Sequence, residues 1–172
     1  MPLAASDPTI LYTATSQIAF VLLGIWWLVV ESRHEEWMRH TASRRGAYGV
    51  SVHFALPGVM SVMALAAVDH NTVWRVSFFV AGVIGAVEAA RRFAAERQRP
   101  DRALAVTALA VIAVTYVLIT LLALRTTFVE DLGIDLLPLE VEGILIGILL
   151  FAGVNLAWLA FSEPSAPDAP QA

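Results

Sequence analysis

The sequence predicts an all-α, polytopic membrane protein: a single bundle of five transmembrane helices, with the N-terminus outside and the C-terminus cytoplasmic. Three observations carry that reading. Five apolar stretches are each long enough to cross a bilayer. Nine of the eleven arginines fall in two of the connectors between those stretches. Of the 172 residues 58% are hydrophobic and 15% charged, against about a quarter charged in a soluble domain.

The first span is expected over residues 10–30 and closes on Trp26 and Trp27, residue types that favour a membrane interface. Residues 1–8 lack a basic n-region, so no cleaved leader is read there. A charged connector, ESRHEEWMRHTASRR, leads to a second span at 47–68, interrupted by Pro57. The third is expected at 73–90 and exits through RRFAAERQRPDR. The fourth, ALAVTALAVIAVTYVLITLLAL at 103–124, has no charge, proline or glycine. As a helix it would reach roughly 33 Å, against about 30 Å of bilayer hydrocarbon. Its threonines can bond back to carbonyls one turn earlier, so they do not bar insertion. The fifth span is expected at 143–161, after the linker TTFVEDLGIDLLPLEVE. Residues 1–162 thus form one domain, and 163–172, rich in Pro, Ala and Ser, form a disordered cytoplasmic tail.

Arginine placement sets the orientation. Arg33, Arg39, Arg44 and Arg45 lie in the first connector, and Arg91, Arg92, Arg97, Arg99 and Arg102 in the third. The positive-inside rule puts both in the cytoplasm. The chain has no lysine, which suggests a GC-rich prokaryotic genome and hence a cytoplasmic (inner) membrane. A shift of 57 residues lays Val30-Glu31 on Val87-Glu88 and Arg45 on Arg102, as a parallel duplication of one hairpin would.

Composition and spacing exclude much chemistry. Without cysteine there are no disulfides, thiolate metal sites or Cys nucleophiles, and without lysine there is no Schiff base. HEEWMRH, from His34 to His40, resembles a zinc-protease helix only superficially. Its second histidine falls at i+6, about 240° round the helix, and Met38 stands where the ligand is needed. Its glutamate pair also fails the pattern of CAAX-type intramembrane proteases, because Arg39 comes one residue early. The segment reads instead as a solvated helix extension with Glu35–Arg39 and Glu36–His40 pairs. Haem needs two axial ligands at matched depth, and His53 is the one histidine within a span. Glu130, Asp131, Asp135, Glu140 and Glu142 offer oxygens for Ca²⁺ but lack the DxDxDG spacing. Interleaved Phe128, Leu132, Ile134, Leu136 and Leu137 point to an interfacial segment, with Arg75 and Arg125 near enough to pair with the carboxylates. No catalytic residue, cofactor, metal site or nucleic-acid partner is read from the chain; its partner is the lipid bilayer.

Small residues mark packing faces. Ala81 and Gly85 do so on the third span, and Gly143 and Gly147 form a GxxxG pair on the fifth. The polar residues inside spans are His53, Glu88, Gln17 and Asn155, the candidates for an intramembrane polar or ion path. Thr13, Gln17 and Gly24 share one stripe, as a polar lining or an interhelical seam. His53 and Glu88 sit at like depth near the arginine-rich side, as partners in a relay would; equally, Glu88 can pair with Arg91 or Arg92 one turn on and His53 can be a neutral core residue with one hydrogen bond. The function expected is a homo-oligomeric transporter or channel-like protein for a small solute or ion; the alternative is an accessory or scaffolding subunit of a larger membrane complex.

Overall fold

A computed structural model of the chain describes residues 8–39, 41–67, 71–99, 102–131, 133 and 136–162. Within them the regular structure is all helical: α1 (Pro8–Ser32), α2 (His34–Arg39), α3 (Thr41–Ala66), α4 (Asn71–Glu96), α5 (Ala103–Leu124), α6 (Phe128–Asp131) and α7 (Pro138–Phe161). Helices α1, α3, α4, α5 and α7 are each long and apolar enough to span a membrane. The main pairings are α1 with α3 and α4 with α5. Helix α3 also meets α4, and α7 closes the bundle against α1, α3 and α5. Many outward side chains are large and apolar, among them Leu28, Leu104, Phe151 and Trp158, a surface suited to a hydrocarbon solvent.

Helix α5 covers residues 103–124, as its composition requires. Helices α1, α4 and α7 outrun the apolar stretches that mark them, whereas α3 starts earlier than expected, runs on through Pro57 and ends at Ala66. Helix α4 passes Ala90 and continues to Glu96. Its Glu88, Arg92 and Glu96 recur every four residues, so opposite charges stack along one face and support the extra turns. Helix α7 starts five residues before Gly143, at Pro138. A proline in the first turn is already set at a helical φ. Glu140 then reaches back to accept the Leu137 N–H at 2.9 Å, satisfying a donor just ahead of the helix. That earlier start takes Glu142 out of the linker and into the bundle.

The arginine-rich end is locked by aromatic side chains. The chain turns at Arg33, and α2 is a separate short helix rather than a solvated extension of α1. Trp37 is buried against Trp26, with ring centroids 5.6 Å apart. Trp26 Nε1 donates to the Ala47 carbonyl at 3.0 Å. Trp26 is therefore an internal tie between α1 and α3, and only Trp27 of that pair faces outward. Arg33 covers Trp37 and Phe161 and donates to the Phe161 carbonyl at 2.8 Å, fastening the end of α7. Glu35 and Arg39 are exposed, and the expected Glu36–His40 pair lies outside the described residues.

At the opposite end Arg75 donates to the carbonyls of Ala123 and Leu124, each at 2.8 Å. These are acceptors that the end of α5 leaves without intrahelical donors. Arg125 pairs with Asp131 at 2.9 Å. Of the two arginines expected to meet carboxylates here, one does so and the other caps a helix. Leu132, Ile134, Asp135 and the 163–172 tail lie outside the described residues.

Candidate functional site

Two groups of buried polar side chains lie inside the bundle, one toward each end. The first is built around His53. On α3, Gly49, His53, Pro57 and Met60 recur at helical spacing, and all four are buried. Pro57 has no N–H, so the His53 carbonyl lacks its intrahelical donor. His53 is 0% exposed, and neither ring nitrogen has a hydrogen-bond partner. Its ring faces Tyr116 of α5, with centroids 5.9 Å apart and planes inclined by 30°. Tyr116 is buried too, and its hydroxyl has no partner. The Tyr116 ring lies over Gly85 of α4, where a Cβ would collide with it. The missing side chain at Gly85 thus lets an aromatic of α5 pass α4 and reach the imidazole on α3.

Toward the arginine-rich end, α4 adds Glu88, Arg92 and Glu96. Arg92 crosses to α3 beside Gly49; its Nη1 lies 2.6 Å from the point a Cβ on Gly49 would occupy. The guanidinium is within electrostatic reach of His53, Glu88 and Glu96. Its Nη1 is buried without a hydrogen-bond partner, as is Glu96 Oε2, which Arg99 approaches to 4.0 Å. Buried donors and acceptors without protein partners are the positions that water or a small polar solute fills.

The sequence singled out His53 and Glu88, and the structure places one buried and the other half-buried with Arg92 in reach of both. From the sequence Arg92 is only a possible partner of Glu88 one turn on; its reach to His53 is not legible there, because charge places the end of the span at Ala90. Gln17 and Asn155 do not join this group. Both are exposed on the outer surface, as are Thr13 and Gly24 of the same α1 stripe. Asn155 Nδ2 donates to the Phe151 carbonyl of its own helix at 2.8 Å. The four polar candidates therefore do not line one internal path within a single chain. The packing candidates divide as well. Ala81 and Gly85 face inward, and Gly143 is seated on Leu11 of α1, but Gly147 faces open space.

The second group lies toward the end of the bundle where α1, α4 and α7 begin. Thr15 and Ser61 share a hydrogen bond at 3.0 Å, joining α1 to α3. Ser61 also donates to the Pro57 carbonyl at 2.8 Å. Tyr12 donates to the Leu139 carbonyl at 2.7 Å, tying α1 to α7, and meets Phe78 edge-on at 6.2 Å. Glu142 is 0% exposed, with both carboxyl oxygens unpartnered. Sequence reasoning placed Glu142 among external carboxylates and passed over Tyr12. The available signal was Pro138 followed by Glu140, which marks a helix start ahead of Glu142. Among the described residues, no group of three or more acidic or histidine side chains gathers into a metal site. No protein-family model, curated protein or solved structure matches the chain.

Proposed function

We propose that the chain is a small transport protein of a prokaryotic cytoplasmic membrane, moving a proton or small ion through the space around His53. The observation that carries this is the fully buried imidazole with both nitrogens unpartnered, faced by the Tyr116 ring and within electrostatic reach of Arg92 with its carboxylates. Ionisable groups inside an apolar bundle are costly, and those that persist mark ion and proton paths. His53 and Glu88 are the exchanging groups. Arg92 supplies a fixed positive charge between them, because a guanidinium keeps its proton in proteins. The test is a proton flux assay in liposomes containing the purified chain. His53→Asn and Glu88→Gln should each lower flux about tenfold or more, the scale of removing a positioned proton-transfer group. Variants matching the parent from about pH 5 to 8, a range bracketing histidine's ordinary titration, would refute the reading.

In this proposal the arginine-rich connectors face the cytoplasm and the N-terminus lies outside. The chain has no native cysteine, so labelling is direct. Leu136→Cys should react with an impermeant maleimide added to intact cells, and Arg97→Cys should not. Leu136 serves better than Gly133, whose φ of 68° would strain any side chain. Labelling of both from outside would overturn the orientation.

One observation favours the second reading, an accessory subunit held in a larger assembly. Gln17, Asn155 and Gly147 all lie on the outer surface, where polar and small side chains help membrane helices associate. A single-copy protein in lipid gains nothing from them. Gly147→Leu should not lower monomer stability, and helix propensity should raise it by up to about 1 kcal/mol, because open space surrounds the site. The same change should alter oligomer size in nanodiscs. Gly143→Leu meets Leu11, a half-free side chain able to swing aside, so it should destabilise the monomer by about 1 kcal/mol. Oligomer size unchanged by Gly147→Leu would remove the support for this reading.

A further inference from the structure

We propose that Glu142 and Tyr12 form a binding site for a single monovalent cation, at the end of the bundle opposite His53. Glu142 lies one turn into α7, about 6 Å below its start. Its side chain is wholly enclosed, yet neither carboxyl oxygen meets a donor from the chain. An ionised carboxylate left in this state is strongly unfavourable unless a positive charge meets it. A proton would remove the charge but leave an enclosed carboxyl with neither oxygen receiving a donor from the chain, so a cation competes with a proton for this position.

The chain's own cations at this end are engaged elsewhere. Arg75 is bound to the Ala123 and Leu124 carbonyls, and Arg125 to Asp131. Among the described residues no other arginine, lysine or histidine belongs to this end. No cationic side chain among the described residues donates to the Glu142 carboxyl, which leaves the place open to a cation from solution.

The surroundings suit a hard, singly charged ion. Tyr12 is within electrostatic reach of Glu142, and its hydroxyl lies 3.9 Å from the point a Cβ on Gly143 would take, at the turn that carries the carboxyl. That hydroxyl keeps an unused acceptor site while donating to the Leu139 carbonyl. One carboxylate with neutral hydroxyl and carbonyl oxygens balances one positive charge. A divalent ion would need more carboxylates, and no acidic cluster is present among the described residues. Phe78 and Trp74, stacked edge to face at 5.7 Å behind Tyr12, wall the site off on the α4 side. Gly143 lets α1 come close enough for Tyr12 to reach α7.

This inference stands apart from the transport reading, because it concerns other residues and needs no flux. The purified full chain in nanodiscs is heated in LiCl, NaCl, KCl or choline chloride at equal ionic strength and pH. One alkali chloride should raise the Tm by several degrees over choline, as a ligand bound only to the folded state does. Calorimetric titration with that salt should show saturable binding of one ion per chain. Glu142→Gln should abolish both effects. Tyr12→Phe, which keeps the ring and removes the hydroxyl, should weaken binding at least tenfold, and it serves as the test if Glu142→Gln does not fold. Equal Tm values in all four salts, a response to pH alone, or a full cation response in either variant would each overturn the site.

Discussion

Gly82→Ala should destabilise the protein, although alanine is the better helix former by about 1 kcal/mol. A Cβ on Gly82 would meet Thr120 Oγ1 and come within 3.2 Å of the Tyr116 carbonyl oxygen and 3.3 Å of the Thr120 nitrogen. The hydroxyl could rotate, but the backbone atoms can yield only if α5 moves away from α4. Overpacking of this kind costs about 1–3 kcal/mol, enough to reverse the sign that propensity predicts. Gly85→Ala meets the Tyr116 ring instead. The ring can swing away only by leaving His53, so this variant should lose both stability and flux. Gly147→Ala is the control: with open space around it, propensity alone acts, and stability should rise by up to about 1 kcal/mol. Thermal unfolding in detergent, followed by far-ultraviolet circular dichroism, reads all three. Gly82→Ala and Gly147→Ala shifting in the same direction would mean that α4 and α5 do not pack as described.

The same residues show what the sequence made legible. Helix number and type follow from apolar runs of sufficient length, which nothing in a 22-residue stretch such as α5 contradicts. Ala81 and Gly85 were recognisable as a packing face because small residues at four-residue spacing have few other uses in an apolar helix. What they pack against was not legible, since the Tyr116 ring comes from another helix. Helix ends were harder. Charge was read as the end of a helix at Arg91 and Glu142, but in each case the helix includes the charged residues. A charge marks the edge of an apolar stretch, whereas a helix ends where backbone hydrogen bonding ends. Both buried clusters depend on this difference, because Arg92 and Glu142 fall in the turns that the apolar pattern leaves out. Gln17 and Asn155 show the converse. Their place within spans was legible, but the side of the helix they occupy depends on where neighbouring helices pack.

Arg92→Leu should destabilise the protein by about 2–3 kcal/mol, and Glu88→Gln should recover part of that loss. Removing one partner of a fully buried charge pair costs about 3–5 kcal/mol, because the other charge is left uncompensated. Glu88 and Glu96 are only half-buried, so the expected loss lies below that range. Volume is not the cause, because leucine over Gly49 fills much of the space the arginine stem occupied. Electrostatics and packing therefore predict different results in a double-mutant cycle. If Arg92 neutralises Glu88, the Glu88→Gln and Arg92→Leu changes should be non-additive by about 1 kcal/mol, as neighbouring charges are. The same cycle with Arg91→Leu should be additive, because Arg91 is exposed although it lies only three residues from Glu88. Coupling at Arg91 and none at Arg92 would return Glu88 to a surface pair and separate it from His53. Coupling at Arg92 would instead tie Glu88 to the guanidinium that lies within electrostatic reach of His53. On the proposed transport reading, flux should then fall in Arg92→Leu even at temperatures where the variant is fully folded, because the fixed charge within reach of both His53 and Glu88 has gone.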